Sequence, residues 1–287
     1  MKKAFLVGIN KYSRSPLRGC VNDVIMIYQI LTSKFNFKKE NIKVLTDREA
    51  TKKNIIKGIK WLTTGVTSED TIVFHYSGHG SQVMVDDLTT TNEADGRDEI
   101  ICPVDLDWND PLRDRELGMY FKRVPKDCTT LVILDCCHSG SGLRNGAEPG
   151  IKHTDKDYVN RFISPPLSNI LSNPSVIIRD DLSFDFPDPV VDDRAAKSNF
   201  LIASAEQGDA ILLAGCQENQ TSADAWINKQ YRGAMTYALA KTLSENKFDI
   251  TYGDLITKIN KFMDKFRYTQ NPQLEGQKIF FNKKFLK

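Results

Sequence analysis

The run Leu131–Gly142 reads LVILDCCHSGSG: four apolar residues, an acid, two cysteines and a histidine, breaking into glycine and serine. A short apolar run closed by turn residues is the mark of a buried strand. Open parallel sheets build their sites beyond the carboxyl ends of strands, where the reactive groups of this stretch fall. Side chains alternate along a strand, so Val132, Leu134 and Cys136 share one face, and Ile133, Asp135 and Cys137 share the other. Cys136 therefore groups with core residues and Cys137 with an acid.

Working outward, the runs KAFLVGI, NIKVLT, DTIVFHYS and TTLVILDC alternate with stretches of helical period, the pattern of βα units around a mainly parallel sheet. Val21, Val24, Ile27, Ile30 and Leu31 predict a helix over about 21–34, and Ile55, Ile56, Ile59 and Leu62 a second. The acid-rich stretch 85–116 reads as a polar excursion containing one short strand, EIICPV. From about 144 to 197 the chain turns to Pro, Ser, Asp and Asn with little period, a long connection of the kind that is functional or disordered. Regular structure returns with NFLIASA, helical patterns at GAMTYALAKTL and DLITKINKFMDKF, and a last strand near QKIFF. The expected organisation is one α/β catalytic domain made by two portions, 1–144 and 198–287, joined by an exposed linker, 145–197.

With 40% hydrophobic and 26% charged residues and a net charge of +2, nothing in the chain demands nucleic acid or a membrane surface. The N-terminal apolar stretch Ala4–Ile9 is too short for a signal-peptide core and reads as the first buried strand. No run reaches the roughly 20 apolar residues of a spanning helix. Cys20, Cys102, Cys128, Cys136, Cys137 and Cys216 are scattered, with two adjacent, which makes a poor disulfide framework. Reduced thiols and a cytoplasmic monomer are expected.

Two strands end in reactive groups: TIVFHYSGHGSQ and LVILDCCHSGSG hold three of the four histidines. His75 lies inside its apolar run and reads as a hydrogen-bonded core residue. His79 lies beyond it, between Gly78 and Gly80, where the missing side chains allow a backbone to come close. A thiol becomes a strong nucleophile near neutral pH with a base or cation beside it, and Cys137 with His79 is the natural pair. The N–H groups of Gly80 and Cys137 are candidates to stabilise an oxyanion. His138 would point away and reads as structural. From the LVILDCCHSGSG segment alone, two buried structural thiols remain an open alternative.

HYSGHGSQ followed by DCCHSGS, 58 positions apart from His79 to Cys137, resembles the histidine and cysteine motifs of the metacaspases, caspase-like cysteine peptidases. GINKYSRSPLRGCVNDV, DEIICPVD, QTSADA, GAMTY and TQNPQLEG extend the likeness over most of the chain outside the linker. The resemblance implies a three-layer α/β/α sandwich around a mainly parallel six-stranded sheet, without a long prodomain. It also implies His79 as base, Cys137 as nucleophile, and protein or peptide substrates cut after Arg or Lys. Its basic-residue pocket maps to Cys20, Asp23, Ser77 and Asp135. Two carboxylates there would bind a cation and repel an acid. Read without the family, Asp23 also suits the first turn of a helix, and Asp135 a strand-end cap.

Many metacaspases need calcium, which takes six to eight oxygens. Asp98 and Asp114 match two family ligands, but Arg115 and Arg144 stand where the pattern has the other two acids, so no required cofactor is expected, and a calcium site rearranged onto Asp95, Glu99 and Glu116 stays open. The arginines would instead pair with the acids. Self-cleavage in the linker is expected at one of Lys152, Lys156, Arg161, Arg179, Arg194 or Lys197. Three rival readings stay open: an inactive scaffold that binds protein partners, a peptidase with acidic specificity, and a zinc or redox site at Cys136, Cys137 and His138.

Overall fold

The computed structural model describes residues 1–84, 97–137, 158–166, 177–178, 184–185, 210–217 and 220–287. In chain order the strands are β1 (Lys2–Gly8), β2 (Ile42–Thr46), β3 (Thr71–Ser77), β4 (Gly80–Met84), β5 (Arg97–Ile101), β6 (Leu112–Arg113), β7 (Thr129–Asp135), β8 (Tyr158–Asn160), β9 (Ile177–Ile178), β10 (Phe184–Asp185), β11 (Ala210–Ala214), β12 (Ala223–Ile227), β13 (Gln230–Gly233) and β14 (Gln273–Glu275). The helices are α1 (Cys20–Lys34), α2 (Lys52–Thr63), α3 (Asp114–Phe121), α4 (Ala234–Glu245), α5 (Tyr252–Lys265) and α6 (Lys278–Phe281).

Six strands form the central sheet in the order β14-β11-β7-β3-β1-β2, all parallel except β14. Alternation divides its side chains between two cores. Phe5, Val7, Phe74, Tyr76, Val132, Leu134 and Cys136 pack with Ile55, Ile59 and Leu62 of α2 and Leu117 and Phe121 of α3. Ala4, Leu6, Val73, Leu131 and Ile133 pack with Val24, Ile27 and Leu31 of α1 and with α4 and α5. The result is an α/β/α sandwich in which each fully buried aliphatic side chain is stabilised by about 1.5–3 kcal/mol relative to exposure. Thr51 and Thr251 cap α2 and α5 by accepting from the N–H groups of Asn54 and Asp254. The start of α1 has no local cap; the Asn10 side chain accepts from Cys20 N–H at 2.9 Å instead. No helix among the described residues is long and apolar enough to cross a membrane.

One sequence expectation changes. The apolar run QKIFF gives helix α6 rather than a last strand, and the strand lies just before it at Gln273–Glu275. Three consecutive apolar residues, Ile279 to Phe281, have no period that tells strand from helix turn. The strand that follows the linker and pairs with β7 is Ala210–Ala214; NFLIASA lies outside the described residues.

Candidate active site

The strand order reverses direction between β1 and β3, and the crevice this opens at their carboxyl ends holds the candidate groups. Parallel register sets Ser77, at the end of β3, beside Asp135, at the end of β7. The loop after β1 returns as α1, whose first turn brings Cys20 and Asp23 to the same edge. His79 and Gly80 follow β3 directly, and Cys137 follows β7.

What fills this crevice is Arg161. It comes from the stretch expected to be an exposed linker, yet its side chain is 0% exposed. Its Nη2 donates to Asp23 at 2.8 Å and to Asp224 at 3.0 Å. Its Nη1 donates to Ser77 Oγ at 2.9 Å and to the Asp135 carbonyl at 3.0 Å, and lies 3.2 Å from the Asp135 carboxylate. Cys20 is buried beside the same guanidinium and contributes to its electrostatics. Three carboxylates thus surround one cation. All of these groups but Asp224 belong to the set expected from sequence.

Each carboxylate is held from behind. Asp135 accepts from Ser222 Oγ at 2.6 Å and, at the N-terminus of α4, from Thr236 N–H at 2.9 Å and Thr236 Oγ1 at 2.6 Å. Asp224 accepts from the N–H groups of Arg18 and Gly19 at 2.7 and 2.9 Å, and Asp23 from Gly233 N–H and Ser77 Oγ. Burial raises the Asp23 pKa to about 7, against the pull of Arg161. Burial also pushes Asp135 upward, but the Arg161 charge and the bonds from Ser222 and Thr236 outweigh it and leave its pKa below the usual carboxylate value. Gly233 closes the floor: a Cβ there would collide with the Asp135 carboxylate and come within 2.7 Å of Asp23 and 2.6 Å of Arg161.

The backbone of Arg161 is gripped as well. Its N–H donates to the Ser222 carbonyl at 3.0 Å, and β8 before it pairs antiparallel with β12. Its carbonyl oxygen accepts from Gly80 N–H at 3.0 Å and Cys137 N–H at 3.3 Å, the two donors picked out as an oxyanion site. Gly80 must be glycine here, since a Cβ would overlap the Cys137 carbonyl. Cys137 Sγ accepts from Ser222 N–H at 2.8 Å.

His79 Nε2 lies 2.6 Å from the Ser15 carbonyl, which can only accept, so that nitrogen carries the proton. Nδ1 is buried with no hydrogen bond of good geometry, and the Arg161 backbone lies close enough to act on the ring. Burial lowers the His79 pKa to about 4, opposed first by the Ser15 carbonyl. The Tyr12 ring lies tilted against the imidazole, centroids 4.6 Å apart, and its hydroxyl accepts from the backbone N–H of His79. His75 is buried with neither ring nitrogen bonded, a correction to the expected hydrogen-bonded residue. His138 and Arg144 lie outside the described residues.

A family model described as "Metacaspase, peptidase C14 domain" matches residues 2–145. Curated relatives include Metacaspase-1 of Meyerozyma guilliermondii, 32% identical over 96% of this chain and 69% of its own length. Metacaspase-1 of Pyricularia oryzae is 31% identical over 95% of the chain and 71% of its own. The chain belongs to the metacaspases. It is accordingly a cysteine-type peptidase acting on protein substrates. A crystal structure of a Geobacter sulfurreducens protein shares the fold, with a TM-score of 0.67 at 21% identity over 99% of this metacaspase and 98% of that chain.

The expected calcium ligands Asp98 and Asp114 both lie against arginine. A single oxygen of Asp98 takes Arg113 Nε and Arg115 Nη2, each at 2.9 Å, and Asp114 accepts from Arg115 N–H at 2.6 Å. Among the described residues no cluster of three or more metal-ligating side chains occurs, at Cys136 and Cys137 included. Sequence reasoning missed Ser15, Ser222, Asp224, Gly233 and Thr236. All lie within the stretches GINKYSRSPLRG, QTSADA and GAMTY, whose likeness to the family was noted without a role for each residue.

Proposed function

We propose that this metacaspase is an endopeptidase that cuts after Arg or Lys, with Cys137 as nucleophile and His79 as base, and that its own Arg161–Phe162 bond is a substrate. The single observation that carries the reading is Arg161: its guanidinium lies among Asp23, Asp135 and Asp224, while its carbonyl oxygen faces Gly80 N–H and Cys137 N–H. That is the posture of a residue whose carbonyl is about to be attacked.

In the proposed reaction His79 Nδ1 takes the Cys137 proton and the sulfur attacks the Arg161 carbonyl carbon. The charge that moves to oxygen is met by the Gly80 and Cys137 N–H donors. Breaking the C–N bond releases Phe162 as an amine, which receives the proton from His79, and water then hydrolyses the thioester to regenerate the thiol. Ser15 fixes the imidazole so that Nδ1 remains the acceptor. Two nitrogens of Arg161 divide the carboxylates between them, so Arg is favoured over Lys, whose single ammonium cannot reach both sides of the pocket at once. Calcium is not required in this reading, supported by the two arginines on Asp98. Cytoplasmic residence is part of it, in keeping with scattered cysteines that make a poor disulfide framework.

Intact-mass analysis tests the core of the proposal. The active chain should yield fragments ending at Arg161 and beginning at Phe162. Cys137→Ala, His79→Ala and Arg161→Ala should each abolish that pair of masses, whereas Cys136→Ala should preserve it. Cleavage that persists in Cys137→Ala, or hydrolysis of Asp-terminated and not Arg-terminated peptides, would overturn it.

A further inference from the structure

The pocket for Arg161 accounts for residues up to the cleaved bond, but the chain beyond that bond is also held. Phe162 forms a parallel bridge with Gly80. The N–H of Ile163 donates to the Gly80 carbonyl at 3.2 Å. Ser81 Oγ donates to the Ile163 carbonyl at 2.6 Å, and Ser81 is itself fully buried. The Ile163 side chain, half-buried, packs against the core cluster that includes Val83, Ile100 and Ile101 of the β4–β5 hairpin. Gly80 therefore serves both sides of the bond, its N–H on the Arg161 carbonyl and its C=O on Ile163.

We propose that the start of β4, Gly80 and Ser81, is a substrate subsite on the leaving-group side. It binds an extended peptide through the amide and carbonyl of the second residue after the cut and prefers an aliphatic side chain at that residue. This rests on the reading of Arg161–Phe162 as a scissile bond. Two different strands then grip one substrate: β12 pairs with the residues before the cut, and β4 with those after it. A hydrogen-bond donor and an acceptor placed two residues past the reacting carbonyl are of use only to a polypeptide that continues there. They hold the bond in line with the nucleophile without adding to the binding of a truncated substrate. Proline at the second position lacks the N–H that Gly80 needs.

The test compares three substrates of the self-processed enzyme. Each carries Tyr-Val-Asn-Arg, as at residues 158–161, followed by an aminocoumarin, by Phe-Ile-Ser-Pro with a quencher, or by Phe-Pro-Ser-Pro with a quencher. The Ile peptide should exceed the Pro peptide in kcat/KM by roughly tenfold or more, since the buried Gly80 carbonyl is left unpaired by the latter. Ser81→Ala should lower the ratio of Ile-peptide to coumarin kcat/KM by roughly 3- to 10-fold. Equal cutting of the Ile and Pro peptides by the unmutated enzyme would overturn the subsite, whatever the fate of the variant. Coumarin release with no dependence on the extension separates that failure from loss of the Arg reading. No turnover of any of the three would sink the Arg reading and the subsite together.

Discussion

Two clusters in this metacaspase mix acids with arginines and have opposite balance. Behind β3 and β7, Asp23, Asp135 and Asp224 share one guanidinium, and that cation arrives from a distant part of the chain. On β5, the single carboxylate of Asp98 is claimed by two neighbouring arginines, Arg113 and Arg115. A surplus of buried carboxylate favours a cation from elsewhere in the chain, whereas on the proposed reading the two arginines at Asp98 stand where a divalent ion would need acids. The same residue types thus enclose a distant arginine in one place, the receptor of the proposed reading, and brace neighbouring segments in the other.

The comparison is tested most strongly by removing one acid from the first cluster. Asp23→Ala, Asp135→Ala or Asp224→Ala should each cost about 2–5 kcal/mol of interaction with a P1 Arg. That is a loss of roughly 30- to 5,000-fold in kcat/KM on Arg peptides. Asp224 sharpens the point, because it was not expected from sequence; an Asp224→Ala enzyme with unchanged kcat/KM would reduce the receptor to two acids. Gly233→Ala should behave like the acid deletions by filling the pocket floor.

A smaller effect concerns stability and pH, measured in Cys137→Ala protein so that the chain stays intact. Asp23, raised from 3.8 to about 7, contributes stability that is complete below pH 3.8 and is lost as pH rises through about 7. His75 and His79, both lowered from 6.5 to about 4 by burial, contribute stability present above pH 6.5 and lost as pH falls through about 4. Between pH 4 and 6.5 the two trends oppose each other. Adding Asp23→Asn removes only the first, so the Tm of that variant relative to its parent should climb as pH goes from 4 to 7. A flat difference would show that Asp23 is fully ionised throughout.

The smallest effect is expected at the second cluster. Peptidase activity should be unchanged by chelator, and a titration with millimolar Ca²⁺ after chelation should add nothing. Arg115 is 40% exposed, so Arg115→Ala should shift stability by no more than about 1 kcal/mol. Activity that vanishes with chelator and returns with calcium would erase the contrast between the clusters.

Much of this was legible in the residues. Strand alternation alone separated Cys136, packed with Val132 and Leu134, from Cys137 at the crevice. Glycines on either side of His79 announced a close approach, and Gly80 makes one to the Cys137 carbonyl. Helix periods located α1 and α2 within a few residues. The partners that come from far along the chain were not legible. Ser15 on the His79 ring and Asp224 in the pocket are joined to their partners by tertiary folding, with sequence separations of 64 and, from Arg161, 63. Arg161 was one of six basic candidates in an irregular stretch, and nothing local distinguished it from the other five. What singles it out is a register, β8 on β12, that no periodicity encodes.

On the proposed reading, the seating of Arg161 also makes the uncut chain its own competitor. Only 20 residues, 138–157, separate Cys137 from β8. A ligand on a short tether acts at an effective concentration in the millimolar range, which an untethered peptide must exceed to enter. Cutting after Arg161 does not sever that tether, because Arg161 stays joined to Cys137 through the same residues. The cut removes the hold of Gly80 and Ser81 on Ile163, and it leaves a carboxylate where the amide had been. Escape of the new C-terminus, rather than scission, would then time the first outside turnover, and peptide hydrolysis should begin with a lag longer than the appearance of the fragments.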